Sequence, residues 1–321
     1  MTTSDNHTFQ KSNPLITMLP KVRGRYTEYV DMSRFTWFRV GGIAEVMFRP
    51  ADAEDLSVFL ENNNERVPVT VIGATSNLLI RDGGIPGVVI KLGKSFSDIV
   101  FLGETLRIGS AVLNSQAAKV ALNAKRGGLE FLSGIPGTIG GGLRMNAGSY
   151  GTEFKDVLIE AEVIDPGGRL HVIAADELGM GYRCCGIDEG WIFLSALFKA
   201  PFADPIDIKV KMETIQRQRE KSQPIRRKTG GSTFANPTGY KAWKLIDAAG
   251  CRGKHFGAAK VSEKHCNFLI NTGDANAHDL ETLGEFVRKR VFDTSGTQLN
   301  WEIRRIGTAK KDISSCSGGK K

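Results

Sequence analysis

Ser232 sits in Gly230-Gly-Ser-Thr-Phe-Ala-Asn-Pro237, a polar glycine loop directly after the basic run Arg217–Lys228 (RQREKSQPIRRK). A hydroxyl on a loop that permits close approach, beside clustered cations, suits a reacting group next to a bound phosphate. The same serine, or Thr233, would also serve as a helix cap or turn residue. A second stretch, Gly127–Gly151 (GGLEFLSGIPGTIGGGLRMNAGSYG), holds nine glycines in twenty-five residues among Leu, Phe, Ile and Met. Flexible linkers lack such large apolar side chains. Glycine opens positive φ and lets a ligand lie against main-chain N–H groups, so this density points to a large ligand on bare backbone. Gly134-Ile-Pro-Gly137 alone would pass as a tight turn. Gly140, Gly141 and Gly142 in succession would be wasteful in one. A third stretch, Gly73-Ala-Thr-Ser-Asn77, follows an apolar run and leaves through Leu78-Leu79-Ile80. That is the form of a phosphate cradle built from successive N–H groups.

Other chemistries fail on spacing. There is no G-x-G-x-x-G for a dinucleotide fold, and Gly93-Lys-Ser95 lacks the earlier P-loop glycine, which falls at Val88. Neither G-x-S-x-G nor H-E-x-x-H occurs. Cys251, His255, His265 and Cys266 lie close in sequence, but His265 and Cys266 would point to opposite faces of a strand, and no second spaced pair completes a site. No metal is expected. The five cysteines form no C-x-x-C and imply no disulfide framework, which fits a reducing, cytoplasmic setting.

The chain has 321 residues and a net charge of +8. The run Arg217–Lys228 carries +5 and the tail after Gly307 carries +3, so these two segments hold the whole excess. One compact basic cluster suits a phosphorylated small molecule rather than nucleic acid, which is met by charge spread over a face. No apolar run is long enough for a membrane span, and the N-terminus lacks an apolar signal core.

These residues must be positioned by elements that the pattern predicts as follows. Residues 1–30 read as a loose extension with a short helical stretch within Leu15–Val30. Strands are expected at Ala44–Arg49, Val67–Gly73 and Val88–Leu92, with a helix over Asp52–Arg66. Hairpins are expected across Gly103-Glu104 and Pro166-Gly-Gly168, an Ala-rich helix over Asn114–Arg126, and a strand over Trp191–Phe198. Beyond Pro201 come a charged helix Asp207–Gln223, a helix Lys241–Ala249, strands Lys260–Ser262 and Cys266–Asn271, a helix Asp279–Phe292 and a strand Trp301–Ile306. The fold class is α+β. The expected domains are 1–30, an N-terminal extension; 31–203, with subdomains of about 31–95 and 96–203; 204–307, a smaller α+β unit; and 308–321, a disordered basic tail.

Several motifs in register then carry a resemblance. Trp37-Phe-Arg-Val-Gly-Gly42, Thr75-Ser-Asn-Leu-Leu79, Gly128-Leu-Glu-Phe-Leu132, Ile135-Pro-Gly-Thr138, Met145-Asn-Ala-Gly148, Gly181-Tyr-Arg183, Gly231-Ser232, Asn236-Pro237 and Trp301-Glu-Ile-Arg-Arg-Ile-Gly307 together resemble the UDP-N-acetylenolpyruvoylglucosamine reductase family. The resemblance covers Phe35 to Gly307. It implies a two-subdomain FAD-binding fold of the vanillyl-alcohol oxidase type, followed by a smaller α+β substrate domain. It implies FAD bound non-covalently, since Thr75-Ser-Asn77 offers no His or Cys for attachment, and NADPH as hydride donor. Only Cys184–Gly190 separates Arg183 from the next strand, which resembles the shorter version of the family without a Tyr-bearing lid loop.

Carried residue by residue, the resemblance gives Gly73, Ala74, Thr75, Ser76, Asn77 and Leu78 as one cofactor loop. Gly134, Ile135, Pro136, Gly137, Thr138 and Gly141 form the other, with Asn146, Ala147 and Gly148 beyond it. Arg183 matches the partner of the substrate carboxylate. Glu302 matches a second stabiliser, useful if its pKa is raised, and Ser232 matches the proton donor. Tyr150, Tyr182, Arg226, Arg227, Lys228 and Asn236 are the expected contacts to a uridine-diphosphate substrate. Relatives commonly carry Lys or another polar residue where Ala235 stands, which leaves Lys241 or Lys244 to supply a cation. The implied reaction reduces the enolpyruvyl ether of UDP-N-acetylglucosamine to UDP-N-acetylmuramate for peptidoglycan, in a monomer with neither nucleic-acid nor membrane partners. The alternative is another FAD-linked oxidoreductase of this fold acting on a different anionic substrate.

Overall fold

The computed structural model describes residues 13–63 and 66–310. The first twelve residues, and the basic tail from 311 on, lie outside the described residues. A 3-10 helix, Pro14–Met18, is capped by Asn13, whose side chain accepts from Leu15 N at 3.0 Å. Then come β1 (Arg25–Asp31), β2 (Ile43–Arg49), α1 (Ala53–Glu61), β3 (Val69–Ile72), β4 (Leu78–Ile80) and β5 (Ile85–Lys91). Four of these strands form one sheet in the order β1-β2-β5-β3, with β1 antiparallel to β2 and the other pairs parallel. Helix α1, capped by Asp52, lays Leu56 and Phe59 on Val46, Phe48, Val88 and Ile90. The other core beside this sheet holds Ala44, Met47, Ile72, Ile80, Ile85 and Val89.

The short helical stretch expected within Leu15–Val30 is present as a 3-10 turn ending at Met18. An edge strand follows it, because Tyr26, Thr27, Tyr29 and Val30 favour a pleated surface. Tyr26 stacks 5.0 Å from Phe48 across the pair.

The second layer runs through β6 (Ile99–Leu102), β7 (Thr105–Gly109), α2 (Asn114–Asn123), α3 (Ile139–Arg144), β8 (Gly148–Ser149), β9 (Thr152–Glu153), α4 (Phe154–Val157), β10 (Leu158–Ile164), β11 (Leu170–Ala174) and β12 (Ile192–Lys199). Its five-stranded antiparallel sheet has the order β11-β10-β12-β7-β6, and both expected hairpins are present in it. Leu106, Ile108, Ala117, Ala121, Phe154, Val163 and Phe198 fill its core. Helix α2 stops at Asn123, short of the expected Arg126, because Lys125 turns to φ +57 and Arg126 N bonds back to Ala121 O.

Gly140, Gly141 and Gly142 lie within α3, capped by Thr138, and none of the three has positive φ. An added Cβ at Gly142 would sit 2.2 Å from the Phe154 ring, and one at Gly140 would sit 3.0 Å from Ser110 Cβ. Two of the three glycines thus serve protein packing.

The last part comprises α5 (Pro205–Ser222), α6 (Ala242–Ala248), β13 (His255–Phe256), β14 (Ala259–Val261), β15 (Leu269–Asn271), α7 (Ala277–Ser295) and β16 (Arg304–Ile306). The sheet β13-β14-β15 packs with α6 and α7 around Ile246, Val261, Leu269, Leu280, Leu283 and Val287. Asn276 and Asp279 close a capping box on α7, and Gly296 ends it at φ +66. Strand β16 leaves this unit and pairs in parallel with β4, Arg304 opposite Leu78. It is shorter than expected because Trp301 instead bridges Phe234. The strand expected from Cys266 begins only at Leu269, after a turn in which Phe268 N bonds His265 O. No helix among the described residues is long and apolar enough to cross a membrane.

Candidate active site

A cleft of about 1150 Å³ runs between these three parts. Its walls hold both glycine loops, the Ser232 loop, Arg183 and Glu302. The first loop spans Gly73–Asn77, between the ends of β3 and β4. Thr75 is left-handed at φ +55 and is held there by a 2.6 Å bond from its hydroxyl to Phe35 O. Ser76 Oγ donates to Pro136 O at 3.0 Å, tying this loop to the second one. An added Cβ at Gly73 would lie 2.6 Å from Thr138 Oγ1, so the loops meet closely. In the second loop Gly137 takes φ +132, and its carbonyl accepts from Asn114 N at 3.0 Å.

The walls carry polar atoms that the protein does not satisfy. Ser110, Asn114 and Thr229 line the cleft, and their buried Oγ, Oδ1 and Oγ1 atoms have no hydrogen-bond partner among the described residues. A buried polar atom left unmade costs about 1–3 kcal/mol, so three in residues that line the cleft fit a bound ligand that supplies the bonds. Together with two bare-backbone loops, they suit a long polar cofactor with a flat ring. Lys91 adds a cation to the cleft lining; its Nζ donates to Gly73 O at 3.0 Å, and burial pushes its pKa down.

Arg183 and Glu302 form the ionisable pair of the site. Arg183 Nε donates to Glu302 Oε1 at 2.8 Å, with side chains 25% and 15% exposed. Burial pushes the Glu302 carboxyl up, against the guanidinium, which pulls it down; the net direction is up. Arg183 occupies the third position of the turn Gly181–Cys184, closed by reciprocal bonds of 3.1 and 3.3 Å between its ends. Its φ of +58 is a conformation usually left to Gly or Asn there. Ser232 follows Gly231, which takes φ +87, and Gly230, whose added Cβ would meet the Phe38 ring at 2.4 Å. That loop needs both glycines, one for packing and one for its bend. The Ser232 backbone bridges Phe268, and among the described residues its hydroxyl has no hydrogen-bond partner.

Of the expected cofactor residues, Gly73 to Leu78, Gly134 to Thr138, Gly141, Ala147 and Gly148 all line the cleft. Asn146 does not; it is fully buried beneath it. Tyr150 lines the cleft from the tip of the β8–β9 hairpin, where it and Gly151 take φ +53 and +90, the geometry of a two-residue hairpin turn. Tyr182 lies outside the cleft lining, half exposed, its ring 5.0 Å from Arg183 Cζ. Arg226 and Arg227 line a smaller adjoining groove with Lys260 and Lys264, and Lys228 is exposed. Asn236 also lies off the cleft, its side chain accepting from Ala242 N at the start of α6. Neither Lys241 nor Lys244 lines the cleft.

Within the basic run, Arg219 does line it, half-buried, its pKa pushed down by burial. Tyr150 faces it: burial pushes that phenol up and Arg219 pulls it down. Arg219 was legible in the helix period, since Ile208, Met212, Ile215 and Arg219 share one face of α5. Of the candidate metal ligands, Cys266 is buried and its thiol is pushed up to about 11 by burial, far from the thiolate that a metal needs.

Residues 44–174 match a family model described as an FAD binding domain. Residues 223–306 match one described as the UDP-N-acetylenolpyruvoylglucosamine reductase C-terminal domain. The chain is 56% identical over 300 residues to the UDP-N-acetylenolpyruvoylglucosamine reductase of Paramagnetospirillum magneticum, covering 94% of this chain and 98% of that one. It is 53% identical to the Rhodospirillum rubrum protein of the same name over 311 residues, covering 95% and 98%. A crystal structure of the Thermus caldophilus reductase superposes with a TM-score of 0.77 at 33% identity, covering 89% of this chain and 99% of that one.

Proposed function

The chain belongs to the UDP-N-acetylenolpyruvoylglucosamine reductase family, and we propose that Arg183, Glu302 and Ser232 are the residues with which it performs that family's reduction. It is an FAD-dependent oxidoreductase with NADPH as reductant, acting in peptidoglycan precursor synthesis. The reading of the three residues is carried by one observation: a partly buried Arg–Glu pair, 2.8 Å apart, lines the same cleft as a serine on a close-approach loop.

Bound in the cleft, FAD would supply the redox chemistry, hydride transfer between NADPH and the outer vinyl carbon of the enolpyruvyl ether. The loops Gly73–Leu78 and Gly134–Thr138, with Gly141, Ala147 and Gly148, would hold it, and Ser110, Asn114 and Thr229 would bond its polar atoms. The chain's own groups then meet the charge that hydride arrival creates. An electron pair forms on the inner carbon and spreads into the adjacent carboxylate. The Arg183 fork donates to that carboxylate, where preorganised charge lowers the barrier most. Burial raises the Glu302 pKa, which favours its protonated form; Oε1 is held by Arg183, which leaves Oε2 to carry the proton when one is bound. A neutral acid there donates to the carboxylate, whereas an ionised one would repel it. Ser232 Oγ–H protonates the inner carbon, completing addition of hydride and proton across the double bond. A free hydroxyl is a weak acid, but the enolate-like carbon is a strong base.

Arg219 and Tyr150 are the groups we assign to the uridine diphosphate end, in preference to Arg226, Arg227 and Lys228. The chain is read as a cytoplasmic monomer whose product feeds cell-wall growth and so cell shape and division; the phosphorylated, NADPH-coupled chemistry supports that location. Half-reactions followed on the flavin colour test the proposal. In Ser232→Ala, bleaching by NADPH should stay near the wild-type rate, while reoxidation by the enolpyruvyl substrate should fall about 10²–10⁴-fold. Equal loss in both halves would make Ser232 a structural residue.

A further inference from the structure

Asn146 lies just past Met145, the C-cap of α3, is fully buried, and takes φ +37. Every hydrogen-bonding atom of its side chain is engaged by the protein. Oδ1 accepts from Lys155 N at 3.0 Å. Nδ2 donates to Glu153 Oε2 at 3.1 Å and to Gly181 O at 2.9 Å. Gly181 opens the turn whose third residue is Arg183, and its carbonyl also closes that turn by accepting from Cys184 N. Glu153 pairs with Gly148 across the β8–β9 hairpin, and Gly148 O accepts from Arg183 Nη2 at 3.4 Å. One carboxamide therefore ties together both backbone supports of the guanidinium: the turn that carries it and the carbonyl that receives it. The turn holds a left-handed non-glycine residue, a conformation that persists only where its surroundings over-determine it.

We propose that Asn146 is a positioning residue for Arg183, holding the strained turn so that the guanidinium meets Glu302 and the substrate carboxylate. This rests on the role given to Arg183 above. Asn146 touches neither cofactor nor substrate. It acts by fixing where Arg183 lies, and misplacing a charge partner by about 1 Å costs on the order of 10²-fold in rate.

Asn146→Asp tests it with little change of shape. The aspartate keeps the bond to Lys155 N and replaces only the donor facing Gly181 O and Glu153. Asn146→Gly is the second variant, since glycine accepts positive φ without strain. Both should bind FAD in wild-type stoichiometry and be bleached by NADPH near the wild-type rate. Substrate-driven reoxidation should fall on the order of 10²-fold. Combined with Arg183→Ala, Asn146→Asp should add no further loss, because its effect passes through the missing guanidinium. Loss of FAD from both variants, equal slowing of both half-reactions, or additivity with Arg183→Ala overturns the inference. Normal reoxidation in Asn146→Asp beside slow reoxidation in Arg183→Ala overturns it alone. Normal reoxidation in Arg183→Ala overturns it together with the role of Arg183.

Discussion

Alanine placed singly at Gly141 and at Gly142 should have opposite effects on fold and on cofactor, although the two residues are neighbours in one helix. At Gly142 the new methyl would lie 2.2, 2.5 and 3.0 Å from atoms of the Phe154 ring. Carbon contacts prefer about 3.5–4.0 Å, so the overlap exceeds 1 Å. Phe154 is fully buried and packs edge-on, 5.8 Å from both Phe131 and Phe198, so its ring cannot step aside without moving two others. Overpacking of this kind costs about 1–3 kcal/mol, and so large an overlap belongs at the upper end. Gly→Ala in a helix returns about 1 kcal/mol. The net expectation is a loss of about 2 kcal/mol, with a melting temperature lower by several degrees at roughly 2–4 °C per kcal/mol.

At Gly141 the methyl meets only Thr138 Oγ1, at an ordinary 3.5 Å, and otherwise faces the cleft. The apoprotein should gain about 0.5–1 kcal/mol from the helix preference. FAD, which the proposed site lays against this backbone, should bind about tenfold or more weakly, since one unaccommodated methyl is worth roughly 1–3 kcal/mol in a shaped site. Melting of FAD-stripped protein and titration of FAD by fluorescence quenching separate the two effects. Wild-type FAD affinity in Gly141→Ala would remove the cofactor from this wall. An unchanged melting temperature in Gly142→Ala would refute the packing account.

Glu302→Gln should leave NADPH bleaching intact and slow reoxidation by substrate about 10²-fold or more. Because burial raises the Glu302 pKa and only the neutral acid donates, wild-type reoxidation should decline as pH rises through that raised value, and this limb should vanish in the variant. Glu281→Gln should destabilise the fold by about 1.5–3 kcal/mol in chemical denaturation, since Glu281 takes two bonds from Arg81 (2.9 and 2.8 Å) and one of 2.9 Å from Arg305. Those arginines lower its pKa in the folded state, so its contribution is complete above the unfolded carboxylate value of about 4.3 and is lost as pH falls through the lower folded value.

Local signals carried most of the elements because their physics is local. Pro166-Gly-Gly168 turns a hairpin by its own backbone preferences, and the stripe Leu280, Leu283, Val287 needs only the helix period. What local signals could not supply is which neighbour a residue meets. Three glycines in a row have the same composition whether they line a ligand or admit a phenylalanine ring, and only Phe154, twelve residues beyond Gly142, decides between these at that position. The same holds within the basic run. Charge density drew attention to Arg226, Arg227 and Lys228, whereas the facing of α5 turns Arg219 inward. Asn146 was legible as part of a motif, yet its motif did not reveal that the side chain points away from the cleft and towards Gly181.

The relation between Asn77 and Glu302 shows how the fold makes cofactor loop and acid a single unit. They lie 225 residues apart, yet Asn77 Nδ2 donates to Glu302 O at 3.0 Å and Arg304 N donates to Asn77 O at 3.0 Å. The first residue of β4 stands opposite Arg304, the first residue of β16. Parallel pairing of two three-residue strands therefore sets the distance from Asn77, at the end of the first glycine loop, to Glu302. Because side chains alternate along a strand, a slip of one residue in that register would turn Arg304 and Arg305 to opposite faces. Arg305 would lose its bonds to Glu281 and Glu285, which hold the correct register from the α7 side. The ion cluster on α7 thus supports the register that carries Glu302, and Glu281→Gln should slow reoxidation by substrate more than bleaching by NADPH.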